Sequence, residues 1–106
     1  MTFAVSLAAD AQRDFYRAQA YYDAEAPHET ERFVYEFFAA ARRLTDFPYS
    51  SPELRNGARR ANLRVFPYQI WYQVHGDTSI VEIIAVLHHR QDPAQMNDRL
   101  EPQPGD

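Results

Sequence analysis

The stretch from Arg59 to Pro93, RRANLRVFPYQIWYQVHGDTSIVEIIAVLHHRQDP, constrains the fold of this 106-residue chain more than any other part of it. A side-chain period of two marks a strand, and three strands follow one another here. Ala61, Leu63 and Val65 alternate with Arg60, Asn62 and Arg64, which predicts a strand with one apolar and one basic face. Pro67 stands at the turn after it, where a missing N–H is tolerated. Tyr68, Ile70, Tyr72 and Val74 share one face of the next strand, and Gln69, Trp71, Gln73 and His75 the other. Gly76-Asp77 reads as a hairpin turn. Ile80 to His88 is apolar on both faces except at Glu82, the pattern of a central strand covered on two sides.

The first half predicts one strand and two helices. Phe3, Val5 and Leu7 alternate with Ala4 and Ser6, a short strand with one apolar face. Ala8-Ala9-Asp10 opens a helix with its acid early, as the helix dipole prefers. Ala11, Phe15, Ala18 and Tyr22 form one helical stripe, which ends near Glu25 because Pro27 blocks continuation. The second helix runs from about His28 to Asp46. Phe33, Phe37, Ala40 and Leu44 make one stripe and Val34, Phe38 and Ala41 another, together an apolar wedge about 160° wide. That exceeds one helix-to-sheet contact. Either this helix touches both the first helix and the sheet, or another chain covers part of it. Residues 47–58, FPYSSPELRNGA, read as a loop containing the Asn56-Gly57 turn pair. Ala94 to Leu100 reads as one or two helical turns, and EPQPGD as a disordered tail. The expected organisation is one α+β domain over residues 1–100, with residues 101–106 as tail.

Composition excludes several function classes. No apolar run approaches the ~18 residues that span a bilayer, so no membrane partner is expected. The N-terminus MTFAVSLAADAQRD lacks a basic region and its apolar stretch breaks at Asp10, so it is not expected to be a signal peptide, and a cytoplasmic location fits. Cysteine is absent, which removes thiol nucleophiles and thiolate zinc sites. With no HExxH, P-loop or GxGxxG pattern either, neither a metal nor a cofactor is expected. All eleven basic residues are arginine, so no lysine can serve as a catalytic base.

Charge is unevenly spread. Residues 1–54 carry five arginines against nine acids, whereas residues 55–90 carry five arginines against only Asp77 and Glu82. An acidic helical half and a basic sheet half can offer one face to an anionic partner. Arg59, Arg60 and Arg64 on one strand, with His88, His89 and Arg90 ending another, form a basic rim. If those strands are neighbours, arginines and a histidine converge as needed to hold a phosphodiester and move a proton. The other reading is a solvated sheet edge, with the arginines paired to Asp77, Asp92 or Glu53. His88 and His89 are adjacent and point to opposite faces, so they do not share one ligand unless the strand breaks there. Tyr68, Trp71 and Tyr72 read either as base-stacking platforms or as core.

The pieces VSLAADAQRDFYRAQAYYDAEAP, ERFVYEFFAAARRLTDFP, LRVFPYQIWYQV and IIAVLHHRQDP, in that order and spacing, resemble the ParE/RelE toxin superfamily, and the ending LHHRQDP resembles its ParE branch. The resemblance implies a β-α-α-β-β-β fold, a small antiparallel-rich sheet with a helical hairpin on one face. It implies the toxin of a type II toxin–antitoxin (plasmid stabilisation) system, bound by a ParD-like antitoxin and acting on DNA gyrase, with no sequence-specific DNA binding by this chain itself. Target contacts are then expected at Arg59, Arg60, Arg64, His88, His89 and Arg90, and antitoxin contacts at Tyr21, Val34, Phe38 and Trp71. The RelE branch implies a ribosome-dependent mRNA endonuclease instead, with Arg60, Arg64, His88 and His89 as its catalytic set. Absence of lysine, and of a tyrosine after the closing strand, departs from that branch. A chain of this fold that only binds its antitoxin is the third reading.

Overall fold

Helix formation obeys the stripes read from the sequence. Strand β1 (Ala4–Leu7) leads into α1 (Ala9–Glu25), a 3-10 turn at Pro27–Glu29 ends it, and α2 (Thr30–Asp46) returns antiparallel. Ala11, Phe15, Ala18 and Tyr22 of α1 are all buried, as are Phe33, Phe37, Ala40, Ala41 and Leu44 of α2. The wider half of the α2 wedge is only partly used: Val34 packs at the core margin, and Phe38 is 53% exposed. The structure, a computed structural model, describes residues 2–100. The expected disordered tail lies outside the described residues.

The second half forms four strands, not three: β2 (Glu53–Arg55), β3 (Ala58–Asn62), β4 (Tyr68–His75) and β5 (Ile80–His88). The added strand lies in the stretch expected to be loop. Arg55 pairs with Ala58 across Asn56-Gly57, whose positive φ angles of 48° and 81° make the two-residue hairpin that an Asn-Gly pair favours. The β4–β5 connection is also longer than Gly76-Asp77. It runs to Ser79, which takes the positive φ. At Gly76 a Cβ would lie 3.0 Å from the hydroxyl of the exposed Tyr49, so a larger residue there would push that side chain aside.

Sheet order is β1-β5-β4-β3-β2. β1 is parallel to β5, and the other pairs are antiparallel. β5 is therefore interior, and it is covered on both faces as its sequence predicts. Opposite Trp71 and Tyr72 the register shifts from Ala85 to Ile83, leaving Ile84 as a bulged residue. Val81, Ile83 and Val86 consequently belong to the main core under the helices. Ile84, Ala85 and Leu87 belong to a second core with Ala58, Trp71 and Met96. Met96 comes from a 3-10 segment, Pro93–Arg99, that crosses the face away from the helices.

Asp14 fastens these layers. It sits on the apolar stripe of α1, 7% exposed. β1 ends at Leu7, so the adjoining edge of β5 has no strand beside it further along. There the Asp14 carboxylate accepts from the Val86 N–H at 3.0 Å. The Arg99 guanidinium donates to the same carboxylate oxygen at 2.7 Å and to the Ile84 carbonyl at 3.2 Å. A polar group buried this way costs free energy unless every partner is present. Asp14→Ala should therefore lower stability by about 3 kcal/mol. Urea titration would read this as a lower midpoint at unchanged slope; a midpoint within error of the parent would refute the clasp.

Candidate functional site

The structure separates residues that the sequence groups as one basic rim. β3 and β5 are not neighbours, because β4 lies between them. Arg59 pairs with Tyr72 on the helix side of the sheet. Its guanidinium donates to the Ser51 carbonyl, lies 3.5 Å from the Glu53 carboxylate, and stacks 5.1 Å from the Tyr49 ring centroid. Arg59 therefore holds the 47–55 segment to β3. Of the three acids expected to neutralise the rim, Glu53 is the one that pairs with it among the described residues. Arg60 pairs with Trp71 on the opposite face and stacks over that ring at 5.7 Å. Trp71 itself is 2% exposed under Met96. It fills the second core, so it offers no surface to a partner in this conformation.

Arg64 is not on a strand, since β3 ends at Asn62. It is exposed in the turn 63–67, and that turn meets the end of β5, where the His89 N–H donates to the Pro67 carbonyl at 2.9 Å. Arg64, His88, His89 and Arg90 thus share one end of the sheet. Arg32, over the Phe66 ring at 5.9 Å, adds a cation there that the sequence pattern does not reveal. Arg60 stands three residues along β4 from the Tyr68–His88 pair, about 10 Å away and on the other face.

The neutral ring of His88 is held in one tautomer. Its ring stands edge-on to Tyr68, 5.2 Å between centroids. Its Nδ1 accepts from the Arg90 N–H at 3.1 Å, so the neutral ring carries its proton on Nε2. Its own backbone N–H donates to the Gln91 side chain at 2.8 Å. Burial, then the charges of Arg90 and His89, pull its pKa below the ordinary histidine value. A histidine whose free nitrogen is already an acceptor and whose other nitrogen bears the proton is a donor, not a general base. Burial also raises Tyr22 to about 12, helped by Tyr68, Tyr21 and Glu29. Tyr68 is raised as well, by burial and then Tyr21. Neither phenol supplies a base near neutral pH.

Beside this tip, Arg17, Tyr21, Tyr68 and Gln91 line a cleft of about 230 Å³. Tyr21 is exposed there, whereas Phe38 lies on a separate groove beside β1. Two of the expected partner contacts, Tyr21 and Phe38, therefore belong to different surfaces. Among the described residues no group of three or more His, Asp or Glu is placed to hold a metal ion. No helix of the described chain is long and apolar enough to cross a membrane.

Because the His88 pKa is lowered, its stabilising contribution is full above the unfolded-state value of ~6.5 and is lost as pH falls through the folded value. NMR titration should place its midpoint below 6.5. His88→Gln should flatten the loss of stability on the acid side, and an unshifted midpoint would contradict the arrangement.

The fold matches known proteins. A family model described as the ParE toxin of type II toxin–antitoxin systems matches residues 5–93. A solved structure of a chromosomal ParDE toxin–antitoxin system from P. aeruginosa is similar in fold, with TM-score 0.70 and 15% identity over 82% of this chain and 96% of that one. The toxin–antitoxin complex RelBE2 from Mycobacterium tuberculosis is similar with TM-score 0.57 and 22% identity, over 83% of this chain and 99% of that one. No curated protein matches the chain. With nearly its whole described length covered by one family model, this chain belongs to the ParE toxins of type II toxin–antitoxin systems.

Proposed function

We propose that this chain is a cytoplasmic toxin that inhibits DNA gyrase through its basic tip and is neutralised by a ParD-like antitoxin encoded beside it. Membership of the ParE branch carries the reading. The tip gives it a surface: Arg64 and Arg90 are exposed and have no carboxylate partner among the described residues. Arginines presented this way bind carboxylate or phosphate through a planar fork. His88, whose pKa is lowered by burial and then by Arg90 and His89, adds a donor in its neutral form.

The ribonuclease reading draws less support. It requires Arg60, Arg64, His88 and His89 to surround one phosphate, and Arg60 stands on the far face of the sheet. It also requires a base, and the accepting nitrogen of His88 is occupied by the Arg90 N–H, which leaves His89 for that role.

The experiment is inducible expression with and without the neighbouring small gene, joined to a supercoiling assay with purified gyrase. Filamentous growth, intact transcripts, rescue by the neighbour and loss of supercoiling are expected. Replacing Arg64 and Arg90 with alanine should raise the concentration needed for inhibition about tenfold or more, as loss of charged contacts does. Arg59→Ala should lower stability and leave inhibition per folded molecule unchanged. Unaltered supercoiling by the folded parent chain sinks the gyrase reading. Cleaved transcripts would establish the ribonuclease, and unaffected growth a chain that only binds its antitoxin.

A further inference from the structure

Phe47 is a large apolar side chain held out into water. It caps the C-terminus of α2, where its N–H donates to the Arg43 carbonyl at 3.0 Å. Its own carbonyl accepts from the Ser50 N–H at 3.2 Å and from the Ser50 hydroxyl at 2.9 Å. The next residue, Pro48, is buried, and its carbonyl accepts from the Tyr72 hydroxyl at 3.3 Å. The backbone is fixed on both sides of Phe47, yet the side chain is 65% exposed. An aromatic presented on a rigid backbone loses little freedom on binding, which is the property of an interface anchor.

Beside it lies a place for such a ring. A cavity of about 380 Å³ opens between the end of α2 and β3, and its lining includes Ala40, Leu44 and Ala61 as well as Arg43 and Phe47. Knob and hole thus share one face of the chain. The charges of that face are as informative. Arg43 and Asp46 are both exposed and lie one helical turn apart. Neither has an ion-pair partner among the described residues. Arg43 suits the negative end of the helix dipole, but Asp46, the last residue of α2, opposes it. The helix gives Asp46 no stabilising role; an arginine from outside the chain does.

These features specify the occupant. A knob beside a hole, with a cation one turn from an anion, is self-complementary. A two-fold axis through the patch sets each Phe47 against the other copy's cavity and each Arg43 against the other copy's Asp46, so that every contact is made twice. A free anion suits Arg43 less well, because Asp46 stands next to it. An unrelated polypeptide would have to bring both halves of a set that this face already carries.

We propose that the end of α2 is a self-association face, on which Phe47 seats against Ala40, Leu44 and Ala61 of a second copy and Arg43 pairs with that copy's Asp46. The Phe3 N–H bonds the Thr45 carbonyl and the Ala4 N–H the Ser79 carbonyl, so this end of α2 lies by the start of β5. His88 is eight residues further along that strand, roughly 26 Å away. The pairing therefore leaves both basic tips free and gives one particle two of them. It does not depend on the gyrase reading.

The test is sedimentation of the full chain over a range of concentrations. A patch of this size makes a weak interface, so dimer should appear at roughly 10–100 μM chain. Phe47→Ala, Arg43→Glu and Asp46→Arg should each weaken the dimer about tenfold or more. Asp46→Arg relieves the opposed helix dipole, so its loss of dimer cannot come from unfolding. Mixing the Arg43→Glu and Asp46→Arg chains should restore association, since each then meets the opposite charge at both contacts. Higher salt should weaken the parent dimer and the mixed one alike. A parent chain that stays monomeric to about 1 mM overturns the proposal. So does a dimer indifferent to all three substitutions, which would place association on another surface. Failure of the two charge variants to associate when mixed overturns the two-fold pairing of Arg43 with Asp46.

Discussion

Everything in this fold depends on covering β5 from two sides. Nine residues from Ile80 to His88 carry apolar side chains on both faces, and burying only one face would leave Ile84 and Leu87 in water. The helical hairpin covers one side. Seven residues of 3-10 helix, Pro93–Arg99, cover the other through Met96. Runs of 3-10 helix that long are uncommon, because their hydrogen bonds are poorer than those of an α-helix. The segment is held by what it touches rather than by itself: Met96 against Trp71, Arg99 on Asp14, and Asn97 receiving Arg55 at 3.2 Å. Two layers are thereby fastened through one carboxylate on α1.

That arrangement leaves the two edges of the sheet unequal. The β2 edge is short, charged and tied down by Arg59, Tyr49 and Glu53. The β1 edge is neutral and partly unpaired. Stability alone gives no reason for the difference, since one charge on Ala4 or Ser6 would guard the strand at small cost.

Legibility in the sequence tracks periodicity. The stripes of α1 and α2 and the two-faced burial of β5 are readable because each repeats over three or more positions, and the structure buries those residues. β2 escapes such a reading because three residues carry no period. Its signal is the Asn56-Gly57 pair, which reads as a hairpin only once a strand is allowed on both sides. Arg64 is misplaced by periodicity because the alternation Leu63–Val65 continues one step past the true end of β3, where Leu63 turns inward at a bend instead of along a strand. Arg59 and Arg60 stand apart from the rest of the basic rim for a topological reason. Convergence of Arg60 with His88 requires adjacent strands, and no local pattern states that β4 separates them. The two-faced pattern of β5 announces a cover on the far side of the sheet, but nothing in the strand of Trp71 itself says that Met96 supplies it. Asp14 does leave a signal: a carboxylate between Ala11 and Phe15 and Ala18 on a buried stripe needs a buried partner.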